Sequence, residues 1–155
     1  MSQTLEPLID RANFERAAPA IVTALRAIGQ AVEAGGLDKS LIELIKVRAS
    51  QLNGCAFCLQ FHLNIARKLG MPMAKLDLVA TWREAAIYSA RERAALAWTE
   101  SLTLMAHGPI APAAEATLRA EFEPAEIALL TSSIAAINAW NRIAGSLRFT
   151  PPAAA

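Results

Sequence analysis

Apolar residues recur along this chain at steps of three and four, the period of an α-helix with one buried face. Pro19 suits a first helical turn, and Ile21, Leu25, Ile28 and Val32 mark one face of a helix through Glu33 that Gly35-Gly36 ends. Asp38 caps the next helix, with Ile42, Ile45, Ala49 and Leu52 inward, until Asn53-Gly54 stops or kinks it. A third helix begins at Cys55 and runs to about Leu69, where Arg67, Lys68, Gly70 and Pro72 form a stop signal. A short helix is predicted near Ala74–Trp82. Ser89 with Glu92 reads as a capping box that opens a helix to about Ala106, with Ala95, Trp98, Leu102 and Met105 inward. His107-Gly108-Pro109 ends it. Pro112 opens a short helix to about Phe122, and Pro124 starts the last one, faced by Ile127, Leu130, Ile134, Ile137 and Ile143/Ala144. No segment alternates with the strand period. The pattern predicts an all-α helical bundle in a single domain over residues 18–150, preceded by an arm (1–17) and followed by a frayed tail (151–155).

Composition supports helix and removes several functions. With 155 residues the chain is long enough for one domain with a sizeable core. It is 54% hydrophobic and 19% charged, and much of the apolar part is alanine, the best helix former. A net charge of +1 gives no electrostatic footprint for nucleic acid or an anionic membrane. The first twenty residues are polar and carry both charges, unlike a signal peptide. The richest apolar stretch, Ile127 to Ile137, is broken by Thr131, Ser132 and Ser133. The expectation is a soluble cytoplasmic protein, partnered with neither nucleic acid nor membrane. The small, apolar chain is also expected to form a homo-oligomer, because one helical domain cannot hide every apolar stripe alone.

One stretch concentrates reactive groups: ELIKVRASQLNGCAFCLQFH, from Glu43 to His62. It holds both cysteines, Cys55 and Cys58, as a C-x-x-C pair, and His62 follows Cys58 by four positions. On a helix these three share a face. A pair in the first helical turn gains from unpaired N–H groups, which favour thiolate over thiol. His62 can take the proton from Cys58, directly or through one water. A sulfenic acid on one cysteine can be resolved by the other. Glu43, set among Leu41, Ile42, Leu44 and Ile45, is expected to be buried with a raised pKa that suits proton relay. The rival readings are a structural zinc held by Cys55, Cys58, His62 and Glu43 or His107, and two inert core cysteines. His107 itself reads as a helix C-terminal residue. Trp82, Trp98 and Trp140 read as core or interface residues, the last two also available as pocket walls.

Glu43, the C-x-x-C pair and His62 at these spacings resemble the AhpD-like alkylhydroperoxidase core of the carboxymuconolactone decarboxylase family. SQLNGCAFCLQFH, TWREAAIYSARERAALAWTE and IAAINAWNRIA are similar to its small one-domain members, so the resemblance spans roughly residues 18–150. It implies an all-α fold, a homo-oligomer that is a trimer or hexamer, and thiol-based peroxide reduction with no cofactor or metal. By the same resemblance Cys58 is the peroxidatic thiol, Cys55 the resolving thiol, and Glu43 with His62 the proton relay. An external dithiol, a thioredoxin-like or lipoyl-protein reductant, would complete the cycle. The best-known peroxidases of the family carry a second histidine just before the second cysteine, and here Phe57 stands there. The family's decarboxylases lack the cysteine pair, which argues against lactone decarboxylation. A protein disulfide reductase or redox sensor, a decarboxylase-type lyase and a zinc-stabilised assembly protein are the competing functions.

Overall fold

In the computed structural model, which describes residues 6–154, the chain folds into eight α-helices, with no strand among the described residues. They are α1 (Arg11–Ala17), α2 (Pro19–Ala34), α3 (Lys39–Leu52), α4 (Ala56–Lys68), α5 (Met73–Leu78), α6 (Ala90–Thr103), α7 (Pro112–Glu121) and α8 (Pro124–Ser146). Short 3₁₀ turns follow α5 (Val79–Thr81) and α6 (Met105–His107). No helix among the described residues is long and apolar enough to cross a membrane.

The organising element is α3, which packs against α4, α6 and α8. Covered on several sides, it buries Leu44, Ile45, Val47 and Ala49 completely, so its apolar surface runs around the helix rather than along one stripe. Asp38 caps it as expected, its side chain accepting from the Leu41 N–H at 2.8 Å. Its far end closes through Gly54, whose φ of +64° suits a residue without a Cβ. That left-handed step turns the chain at once into α4, which lies beside α3. Two core clusters flank α3, one toward α2, α6 and α8, the other toward α4 and α5. A third gathers Ala49, Cys55, Cys58, Ile137, Ala144 and Phe149 around the cysteine pair.

The structure shifts several expected faces. On α2 the buried residues are Val22 and Val32, whereas Ile21 and Ile28 are exposed. The inward stripe passes through small Gly29 rather than Ile28, which the apolar count alone could not distinguish. Helix α6 ends at Thr103, and Met105 lies exposed in the 3₁₀ turn beyond it. Its buried side is polar in part, with Thr99, Glu100 and Thr103 beside Ala94, Ala95 and Leu96. The predicted short helix is α5 plus its 3₁₀ turn, a little earlier than residues 74–82. Residues 11–17 of the arm are helical, and Phe14 packs on Phe149 with ring centroids 5.8 Å apart. Residues 151–154 run without secondary structure, and the Ala153 carbonyl accepts from Asn64 at 2.8 Å.

Candidate active site

Both cysteines are buried free thiols at the start of α4. Cys55 is the N-cap residue itself, and its Sγ accepts the Cys58 backbone N–H at 3.3 Å. This is the sulfur version of an oxygen cap: an unpaired N–H of the first turn points at the atom best able to hold negative charge. One turn on, His62 is buried on α4, and Glu43 reaches it from α3. The Glu43 Oε2 to His62 Nδ1 distance is 2.7 Å, and Glu43 Oε1 takes the Lys46 ammonium at 2.9 Å. Adjacent packing of α3 and α4 therefore brings all four predicted residues into one region.

The electrostatics revise two expectations. Burial is the largest effect on Glu43 and raises its pKa, but the hydrogen bond and charge of His62, together with Lys46, outweigh it. The carboxyl is held below its ordinary value, not above it, and stays ionised at neutral pH. An ionised Glu43 accepts from Nδ1–H, which leaves Nε2 as the nitrogen that can exchange protons. The thiols also differ from the expected order. The Cys58 thiol donates to Cys55 Sγ, and this, with the Cys58 and Phe57 backbone N–H groups and Asn141, brings Cys55 down to about 7 despite burial. Cys58 is pushed up, first by its hydrogen bond to Cys55 and then by burial. Near neutral pH the pair thus shares one proton and one negative charge between two sulfurs.

The two cysteines face different spaces. Cys58 and His62 line a cavity of about 340 Å³ with Phe57, Phe61, Ile137 and Trp140 as apolar walls. Arg11 and Glu15 from α1 and Arg26 from α2 stand at its edge, with Arg11 over the Phe57 and Phe61 rings at 5.5 and 5.7 Å. Cys55 lines a separate groove beside Pro7, Gly145, Arg148 and Pro151. Among the described residues no group of three or more His, Cys, Asp or Glu is placed to hold a metal ion. His107 sits in an exposed turn after α6, away from the pair. Of the tryptophans, Trp140 walls the cavity, Trp98 donates to Thr131 Oγ1 at 3.0 Å, and Trp82 is buried against Glu100.

One residue at the pair was not read from the sequence. Asn141, buried on α8 beside the pair, lowers the pKa of both thiols through its amide. The inward stripe Ile134, Ile137, Ala144 steps past it, and a lone asparagine within such a stripe is the signal that could have found it.

The model of the Carboxymuconolactone decarboxylase family matches residues 19–101. The chain is 31% identical over 133 residues to the uncharacterized protein YdfG of Bacillus subtilis (strain 168), covering 86% of this chain and 90% of that one. This chain belongs to the carboxymuconolactone decarboxylase family. Among solved structures, a protein of unknown function from Agrobacterium tumefaciens, described as a candidate AhpD antioxidant defence protein, superimposes with a TM-score of 0.89. It is 38% identical, with 96% of this chain and 99% of that one covered. An uncharacterized peroxidase-related protein from Silicibacter sp. TM1040 follows at 29% identity and a TM-score of 0.73, covering 84% and 70%. The fold of this family member is thus AhpD-like.

Proposed function

We propose that this family member is a thiol-dependent peroxidase that reduces peroxides through a Cys55/Cys58 disulfide cycle. The supporting observation is that Cys58 and His62 share the wall of one cavity, with His62 held by a buried, ionised Glu43. The likeness to a peroxidase-related protein points the same way. Shifting the shared proton along the Cys58–Cys55 hydrogen bond puts the anion on Cys58, the sulfur facing the cavity. The Cys58 thiolate attacks the terminal peroxide oxygen; the S–O bond forms as the O–O bond breaks. The alkoxide leaves with a proton delivered through His62 Nε2, and Glu43 stabilises the imidazolium that carries it. The Cys55 thiol then attacks the Cys58 sulfenic acid, and water leaves as the disulfide forms. An external dithiol, thioredoxin-like or lipoyl-bearing, returns the pair to two thiols. The working unit is a homo-oligomer, a trimer or hexamer.

The test is peroxide consumption by the whole chain with a supplied dithiol, alongside a mass measurement after mild peroxide treatment. The expected result is turnover and a loss of two hydrogens per chain. Thiols that stay reduced while Cys58 reacts with a small alkylating agent would sink the peroxidase reading. A second reading, disulfide exchange with another protein, is favoured by the placement of Cys55 as helix cap on a groove of its own. It predicts reduction of a protein disulfide without any peroxide consumption.

A further inference from the structure

Asn141 stands out because the apolar face of α8 delivers a primary amide to the cysteine pair. Ile137 and Ala144, four residues before it and three after, pack in the same cluster as Cys55 and Cys58. A Cβ on Gly145 would lie 4.0 Å from the Cys55 Cβ, so the α8 backbone passes close to the thiol.

The amide is held in one orientation by a relay of side chains. Asn53 Nδ2 donates to Asn141 Oδ1 at 2.8 Å and to Asn138 Oδ1 at 3.0 Å. Asn138 Nδ2 in turn donates to Thr103 Oγ1 at 3.1 Å. Asn53 therefore fixes the Asn141 oxygen, and the Asn141 nitrogen faces the other way. Nδ2 donates to Ser50 Oγ at 3.0 Å, and an amide nitrogen has a second hydrogen to give. Ile137 and Ala144, on the same face of α8, pack with Cys55 and Cys58, so the amide lies on the side of the pair, and it lowers the pKa of both thiols. Burial of 97% or so for this side chain (3% exposed) makes such a fixed donor strong and its loss costly.

We propose that Asn141 is a catalytic residue of the pair: its amide N–H donates to whichever sulfur carries the negative charge. The same donor serves two stages. Before attack it stabilises the thiolate. During reduction an external thiolate forms a bond to one sulfur as the Cys55–Cys58 bond breaks, and the electron pair leaves on the displaced sulfur, which the amide again receives. A preoriented donor at the place where charge sits is the logic of an oxyanion hole, applied to sulfur. The proposal deepens the peroxidase reading and rests on it for the catalytic stages.

The charged groups around the pair have to be held constant in the test. On the Cys58 side they are His62, Lys46, Arg11 and Glu15, with Arg26 and Glu33 on α2. On the Cys55 side they are Glu6 and Arg148. Asn141→Asp is isosteric, keeps the acceptor toward Asn53 and removes the donor; Asn141→Ala removes the amide altogether. The measurement is the pH dependence of iodoacetamide alkylation and of thiolate absorbance on the reduced whole chain, with circular dichroism as the fold check. Both variants are expected to move the first thiol ionisation up by about one pH unit, ~10-fold less thiolate below the midpoint. Ser50→Ala, which removes only the amide's other acceptor, leaves the midpoint in place. An unmoved midpoint in either folded Asn141 variant overturns the proposal. In the wild-type chain the Asn141 side-chain amide resonances are expected to shift through that same midpoint, and their indifference to it overturns the proposal whatever the variants do. Because the titration uses no peroxide, a chain that ionises as expected but consumes none overturns the peroxidase reading alone.

Discussion

Glu43 divides its oxygens between Lys46 and His62, and in the proposed cycle that division sets how it would take part in proton transfer. A carboxylate already accepting from the Lys46 ammonium and from His62 is a poor proton acceptor, so its part there would be to orient the imidazole and stabilise its charged form. Glu43→Gln keeps the shape and removes the charge. The expected result is a peroxide step slowed by ~10²-fold, the low end of general acid–base effects, with folding intact. His62→Gln is expected to slow the same step, and the double variant to lose less than the product, because the two act as one unit. Stopped-flow oxidation rates for the four chains check this; a wild-type rate in Glu43→Gln makes Glu43 structural only. The pH profile carries a separate expectation. With Cys55 near 7 and Glu43 ionised well below that, the rate falls on acidification through about 7, not through the carboxylate range. The cysteines divide the work: Cys58→Ser is expected to abolish turnover, and Cys55→Ser to leave one oxidation event without a disulfide. Mass spectrometry of the two peroxide-treated variants distinguishes this from exchanged roles. Cys55, Cys58 and His62 were legible in the sequence because they follow one another at helical spacing, and Glu43 because the family resemblance set it beside them. The sign of the Glu43 shift was not, since it depends first on the hydrogen bond to His62, which the carboxylate meets only after α3 packs on α4.

Between elements, Glu100 on α6 is a second buried carboxylate shared among several partners. It accepts from Trp82 Nε1 and Arg48 Nε at 2.8 Å and from Arg83 at 2.5 Å, joining α6 to α3 and to the turn after α5. Burial raises its pKa most, but Trp82, Arg83 and Arg48 together hold it below the ordinary carboxylate value. The folded value lies below the unfolded one, so this stabilisation is complete above the unfolded carboxylate pKa and is lost as pH falls through the folded value. Glu100→Gln leaves Arg48 without its counter-charge in a largely buried place and is expected to cost about 3 kcal/mol. For a chain of this size that is a fall in Tm of about 6–12 °C, read by calorimetry at neutral pH, and the gap to wild type should close in acid. Nothing in the residue order pointed to Glu100, because its partners lie 17 or more positions away. The capping box at Ser89 was legible, since its signal is local: Ser89 Oγ accepts from the Glu92 N–H, and Glu92 returns the bond to the Ser89 N–H. Helix α2 shows the limit of such reading. Its sequence offers Ile21 and Ile28 as plausible inward residues, but contact with α8 selects the face of Val22 and Val32 instead.

At the scale of the molecule, that choice leaves a stripe exposed among the described residues. Ile21 and Ile28 lie seven positions apart on α2, two turns, and are 53% and 39% exposed. The same helix supplies Leu25, Arg26 and Gly29 to the cavity, so whatever covers its outer face also stands close to the Cys58 entrance. This is the surface on which the proposed trimer or hexamer would be built. A stable contact between copies buries on the order of 800 Å² from each partner, and its centre is apolar. Two isoleucines on one face supply such a centre, and a charge placed there would be desolvated without a partner. Wild-type chain is therefore expected to run as a trimer or hexamer by light scattering at micromolar concentration. Ile21→Glu combined with Ile28→Glu is expected to yield a monomer with unchanged helicity, since neither side chain supports the core. If the oligomer survives the double substitution, another face holds the copies together. If the wild-type chain is itself monomeric, the assembly proposal fails, and the exposed stripe on α2 is ordinary surface.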